Sequence, residues 1–322
     1  MDRRRATGVA LILASAAGFG SGSLFAQPVY HAGVGWLVLS AWRFLFGAGL
    51  TWGWLLFSAG RRRGLRALDR RAMVAAIALG ILYVGNSGAY FAGLETVSPS
   101  LAALIVYLYP SLVAVLSLRF GQRLRGLRAW LALLVTLAGI ALAVGGIDPT
   151  AAPPLGGLLL IIASPLIYSV WIVLSARLSG ERQDAVGDAA PDGASATAAT
   201  ALMMTSTALV YWLLALGSGQ RVLPTEIPAD AWLGLLGVGI LSTFIAIQTF
   251  YAGAQRIGAA QAALISTVEP IWTITLAGVL YGISLTPIQL AGGVLIIAGV
   301  LVAQTGPAAD RARAPAVRVA DE

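Results

Sequence analysis

Apolar runs about twenty residues long recur from one end of this 322-residue chain to the other. A hydrocarbon core about 30 Å thick demands runs of that length, and in lipid only a helix or a closed barrel satisfies its own backbone. Ten runs meet the demand, over residues 6–26, 34–58, 72–93, 99–118, 128–146, 156–176, 197–217, 231–253, 259–280 and 286–304. None alternates polar and apolar residues as a barrel strand does. The expected fold is therefore all-α integral membrane, with ten transmembrane helices. Composition agrees. Only 11% of residues are charged and mean hydropathy is +0.83, against about a quarter charged in an ordinary soluble domain.

Arginine sets the orientation, because the chain has no lysine and cytoplasmic loops collect positive charge. With the N-terminus inside, the inner segments hold Arg3, Arg4, Arg5, Arg61, Arg62, Arg63, Arg66, Arg70, Arg71, Arg119, Arg123, Arg125, Arg128, Arg177, Arg182, Arg256, Arg311, Arg313 and Arg318. Arg221 alone falls outside, and Arg43 lies within a run. Both termini are expected in the cytoplasm. The arginine runs read first as orientation signals, with anionic-lipid contact as a second use. They lie between spans rather than on one face, so no nucleic-acid partner is implied. Arg3 to Arg5, with the apolar stretch ending at Leu24-Phe25-Ala26, also fit a cleaved signal peptide. Against that, GVALILAS at Gly8–Ser15 recurs as GLLLIIAS at Gly157–Ser164, and a discarded segment has no reason to be duplicated.

The duplication extends further. Ala92 to Val144 can be laid over Ala252 to Gln304 at a constant offset, placing Ala102-Ala103-Leu104-Ile105 on Ala262-Ala263-Leu264-Ile265, Pro110 on Pro270 and Ala138-Gly139 on Ala298-Gly299. The chain divides into two five-helix repeats, residues 1–150 and 151–305. Five is odd, so equivalent helices cross in opposite directions, the inverted-repeat plan of alternating-access transporters. The junction at 179–196 (SGERQDAVGDAAPDGASA) is polar and acidic and reads as a cytoplasmic linker. The tail, 306–322, reads as disordered.

These features carry a family resemblance. The paired five-helix halves, Trp42-Arg43-Phe44, the segment from Ser98-Pro99-Ser100 through Tyr109-Pro110, and the segment from Gln261 through Glu269-Pro270 resemble the drug/metabolite transporter superfamily, EamA type. The resemblance covers nearly the whole chain and implies ten helices, a central cavity shared by both halves, and movement of small metabolites. One departure stands out. Where the family carries Gly-Glu at the ends of the fourth and ninth helices, this chain has Gly121-Gln122 and Gly282-Ile283.

An ionisable side chain within the bilayer costs at least about 2.5 kcal/mol near the centre, so each demands an account. Glu269 and Arg43 are the two. Both fall near the midplane by helical rise, where they would pair, or bind substrate and protons. Pro110 and Pro270 each remove a backbone donor and are expected as symmetric kinks or hinges. Tyr109 is the counterpart of Glu269, which makes the expected site lopsided. Asn86, Gln248 and Ser164, with Ser15 and Ser87, and the aromatic residues Tyr83, Tyr107, Tyr168, Trp171 and Trp272, are candidate lining residues or plain helix contacts. Trp36, Trp52 and Trp54 read as interfacial anchors.

No catalytic residues, metal ligands or cofactors are indicated. Cysteine is absent, and the single histidine, His31, has no carboxylate cluster beside it. The expectation is an inner-membrane secondary transporter, monomer or homodimer, moving an amino acid, amine or similar metabolite. Export is favoured and proton coupling is expected at Glu269. A facilitative channel or a lipid scramblase is the alternative; a membrane enzyme would need an acidic or His cluster that the sequence lacks.

Overall fold

Without water in the hydrocarbon, each apolar run must close its own hydrogen bonds, and this chain does so by helix. The computed structural model describes residues 3–57, 59–118, 127–145, 152–178, 193–258, 262 and 265–304. Every long regular element among them is helical. The first run forms α1 (Arg3–Gly20) and α2 (Gly22–His31). Next come α3 (Trp36–Leu56), α4 (Ala59–Ala67) and α5 (Arg70–Gly93). Then follow α6 (Pro99–Val106), α7 (Tyr109–Leu118) and α8 (Leu127–Gly145). The second half contains α9 (Leu155–Leu178), α10 (Gly193–Gly217) and α11 (Ala231–Leu236). A π-helical segment, Gly237–Ile245, leads into α12 (Ala246–Ile257). The last two helices are α13 (Val268–Tyr281) and α14 (Pro287–Gln304).

Among the described residues, five stretches are long and apolar enough to cross a bilayer: Arg3–His31, Arg70–Gly93, Leu155–Ser175, Thr197–Gly217 and Ala231–Ile257. Four further apolar helices are shorter. Several boundaries differ from the sequence reading. The first run continues to His31. The expected linker loses its end, since α10 begins at Gly193; Gly193-Ala-Ser-Ala-Thr-Ala-Ala is alanine-rich, and alanine is the best helix former. Residues 179–192, Gly121-Gln122 and the tail at 306–322 lie outside the described residues. The arginine stretch after the second run folds as α4, and Asp69 caps α5 by accepting from the Ala72 N–H at 2.7 Å.

The fourth run breaks in two at Tyr107–Leu108, just ahead of Pro110, the second residue of α7. Pro270 is likewise the third residue of α13, after a turn at Thr267. A proline at a helix start removes an N–H that would be orphaned anyway. Both prolines thus open a helix rather than bend one in its middle. Gly282, with φ +65°, closes α13, a left-handed position at which a side chain would be strained.

Proline 28 inside α2 leaves the Leu24 carbonyl without its helical donor, and the Tyr281 hydroxyl supplies one at 2.8 Å. Tyr281→Phe removes that bond while keeping the ring. It should cost about 1 kcal/mol, read as a small fall in the melting temperature of the detergent-solubilised protein with no other change.

Helix contact in lipid relies on small residues that let backbones approach. A Cβ placed on Gly139 of α8 would lie 2.6 Å from the Gly292 carbonyl oxygen of α14, and one on Gly299 would lie 2.9 Å from that of Ala132. A Cβ on Gly253 of α12 would lie 3.0 Å from the Gly8 carbonyl oxygen of α1; one on Gly93 of α5 would lie 3.0 Å from that of Gly157 in α9. The sequence correspondences exchange the members of each pair: Ala132 with Gly292, Gly139 with Gly299, Gly93 with Gly253, and Gly8 with Gly157.

Candidate functional site

Glu269 occupies the first turn of α13, where a carboxylate also meets the positive end of the helix. It is partly accessible. Its hydrogen-bond partner is Tyr107, at the break before α7, whose hydroxyl lies 3.1 Å from Oε2. The same hydroxyl donates to the Ser266 carbonyl at 2.6 Å. That carbonyl is the one Pro270 leaves without a helical donor, being four residues before it. One tyrosine of the first half therefore closes both polar groups that the Glu269-Pro270 pair creates in the second.

From Tyr107 a run of rings leads away. Tyr109 is 6.0 Å from Tyr107 by ring centroids, and Tyr168 is 5.0 Å from Tyr109. Tyr168 stacks on Trp171 at 5.7 Å, and Tyr83 stands edge-on to both, at 6.3 and 5.4 Å. Phe44 follows at 6.0 Å from Tyr83. Phe44 is one wall of the second charge. The Arg43 guanidinium lies 4.9 Å from the Phe44 centroid and 4.7 Å from that of Phe91, and its Nε donates to Thr243 Oγ1 at 2.8 Å. The Thr243 hydroxyl in turn donates to the Val238 carbonyl, five residues back in the π-helical segment, at 2.9 Å.

Arg43 and Glu269 do not form the ion pair envisaged from their depths. Arg43 takes a hydroxyl and two rings, Glu269 a phenol. Equal depth does not bring two side chains together when their helices turn them toward different neighbours. The ring series from Tyr107 through Tyr109, Tyr168 and Tyr83 to Phe44 runs from one charge to the other, so they border one interior region.

The structure brings Glu269, Tyr107, Tyr109, Tyr168, Trp171, Tyr83 and Arg43 into that region. Asn86 and Ser164 meet elsewhere, in a buried contact where the Ser164 hydroxyl donates to Asn86 Oδ1 at 2.9 Å. Its counterpart is the bond from the Ser15 hydroxyl to the Ala246 carbonyl at 2.7 Å. Gln248 has a buried Nε2 without a hydrogen-bond partner. Trp272 is 39% exposed and its indole N–H is taken by Ser21 at 3.0 Å, outside the ring series. Trp171 donates to the Leu79 carbonyl at 2.9 Å, which fixes its ring. Trp36 packs edge-on to Tyr211 at 6.4 Å, and Trp54 is 45% exposed.

Sequence reasoning missed Thr243, Phe44 and Phe91.

These features define a multi-pass helical membrane protein with a charged, aromatic-walled interior. A model of the EamA-like transporter family matches residues 6–145 and again 155–305. The chain belongs to that family of membrane transporters. It is similar to an uncharacterized transporter of Archaeoglobus fulgidus, 27% identical over 66% of this chain and 70% of that protein. It is also similar to the uncharacterized transporter YyaM of Bacillus subtilis, 25% identical over 82% of this chain and 83% of the other. A crystal structure with 22% sequence identity superposes with a TM-score of 0.61, covering 92% of this chain and 96% of that one; it shares the fold.

Proposed function

We propose that the protein is a secondary transporter of a bacterial cytoplasmic membrane that exports a small metabolite bearing an ammonium group, such as an amine or an amino acid. The observation that carries this reading is Glu269. It is the only Asp or Glu within the ten apolar runs, and its partner is a neutral phenol rather than a cation. A partly accessible carboxylate bonded to Tyr107, at the head of the ring series Tyr109, Tyr168 and Trp171, suits a cationic group, which gains from both the charge and the ring faces.

Ten spans in two inverted halves, 1–150 and 151–305, with both termini cytoplasmic, are the architecture that goes with this reading. The glycine contacts that exchange under the repeat support it. So do the breaks at Tyr107 and Thr267, which give Pro110 and Pro270 the place of paired hinges for alternating access.

Proton coupling rests on a hydrogen-bond count. Tyr107 has one hydroxyl proton, and the shorter bond assigns it to Ser266. Glu269 completes the network when it brings a proton of its own and donates to the Tyr107 oxygen. An entering ammonium would displace that proton, so substrate and proton exchange at one carboxylate.

In proteoliposomes loaded with a pH dye, pooled amines and amino acids should drive a substrate-dependent proton flux and saturable counterflow. Unsaturable leakage without proton movement would favour the channel or scramblase reading.

Arg43 is assigned to an anionic group on the substrate. Among the described residues its partners are a hydroxyl and two rings and no carboxylate, so Arg43→Met relieves a desolvation cost. Its melting temperature should match or exceed that of wild type, while transport of carboxylate-bearing substrates falls at least about tenfold relative to simple amines. Equal losses for both substrate classes would sink the assignment.

A further inference from the structure

Helix α4 and the start of α5 serve no part of the transport mechanism. Together they carry Arg61, Arg62, Arg63, Arg66, Arg70 and Arg71. Leu65 and Leu68, with Trp52, pack against Leu55, Ala198 and Ala201 of α3 and α10, and Gly64 is buried at the contact. The docked face holds the helix down and leaves Arg62, Arg63, Arg66, Arg70 and Arg71 exposed.

Among the described residues, no carboxylate pairs with them. The one carboxylate of the segment, Asp69, is occupied as the cap of α5. Arg61 is committed as well: its guanidinium lies 3.7 Å over the Trp54 ring and donates to the Trp54 carbonyl at 2.9 Å. Beside the arginines the chain exposes large apolar side chains, Trp54 at 45%, Leu56 at 52% and Phe57 at 92%. An orientation signal requires positive charge alone. It does not require a helix pinned by leucines, with guanidiniums on its free side and an apolar edge next to them.

That combination at the end of a membrane-spanning helix matches one partner. We propose that α4 and the first turn of α5 form a binding site for the phosphodiester of an anionic phospholipid, with its acyl chain against Leu56 and Phe57. Guanidinium forks fit phosphate oxygens in paired hydrogen bonds, and each arginine near a surface is expected to favour an anionic lipid about fivefold before screening.

Trp54 is a built-in reporter. The full chain and its W54F variant are reconstituted in phosphatidylcholine bilayers containing brominated phosphatidylglycerol or brominated phosphatidylcholine; the difference between the two proteins isolates quenching at Trp54. Brominated phosphatidylglycerol should be preferred at least about tenfold, and R62Q/R63Q/R66Q, which leaves Arg70 and Arg71, should lower that preference severalfold. Both leaflets carry the brominated lipid, so insertion orientation does not alter the readout. In wild type, without any further variant, the preference should fall as salt is raised to about 0.5 M, where charges are screened within about 4 Å. Equal quenching by the two lipids overturns the proposal, as does a preference left undiminished by the triple variant or by the salt. Loss of the preference on adding inorganic phosphate also overturns it, by making the patch a site for soluble anions.

Discussion

Glu269→Gln should reduce transport of ammonium-bearing substrates at least about 30-fold and leave what remains independent of pH. The magnitude follows from removing one partner of a desolvated charge pair, which costs about 2–5 kcal/mol, and 1.4 kcal/mol is a factor of ten. The loss of pH dependence follows from the site's inventory, since Glu269 is the one carboxylate within the apolar runs. Gln is close to isosteric and retains a hydrogen bond with Tyr107, so the melting temperature should stay near that of wild type. That separates a transport defect from a folding defect. Rates measured across a pH series in proteoliposomes decide the matter: transport and pH dependence both intact would reduce Glu269 to a packing residue satisfied by Tyr107 and end the proposed function.

The largest effect on stability is expected at the contact between α8 and α14. Even a methyl group on Gly139 would sit 2.6 Å from the Gly292 carbonyl oxygen and 2.8 Å from the Ile296 nitrogen. Both are backbone atoms and cannot swing aside. Gly139→Leu must push the two helices apart, at the upper end of the 1–3 kcal/mol typical of overpacking or beyond it. Thermal unfolding in detergent should show a fall of several degrees. The repeat adds a sharper requirement. Gly299→Leu probes the exchanged contact, where Thr136 Oγ1, the Ala132 carbonyl oxygen at 2.9 Å and the Thr136 nitrogen at 3.0 Å obstruct a side chain, and should cost a similar amount. A large loss at one site and none at the other would show that the halves do not pack symmetrically.

Much of this architecture is written in the chain. Lipid offers the backbone no partner, so apolar runs had to become helices, and their length placed Glu269 and Arg43 within the bilayer. The two proline positions located the breaks at Tyr107 and Thr267, because a missing N–H acts on its own helix and needs no knowledge of neighbours. The arginine stretch and the alanine-rich start of α10 were harder, since polar composition looks like linker until a neighbouring helix offers a surface to dock on.

What the amino-acid order determined alone was therefore local: which segments are helical, which of them carry a charge, and which residues correspond between the halves. The partners of those charges were decided by tertiary structure. A soluble helix advertises its inward face by an apolar stripe, but a helix in lipid is apolar all round, and its rotation about its own axis leaves no trace in the pattern. Arg43 at a given depth is equally compatible with facing Glu269 or Thr243. Only the fit of backbone against backbone, at contacts such as Gly139 with Gly292, sets the rotations that turn Arg43 to Thr243 and Phe91, and Glu269 to Tyr107.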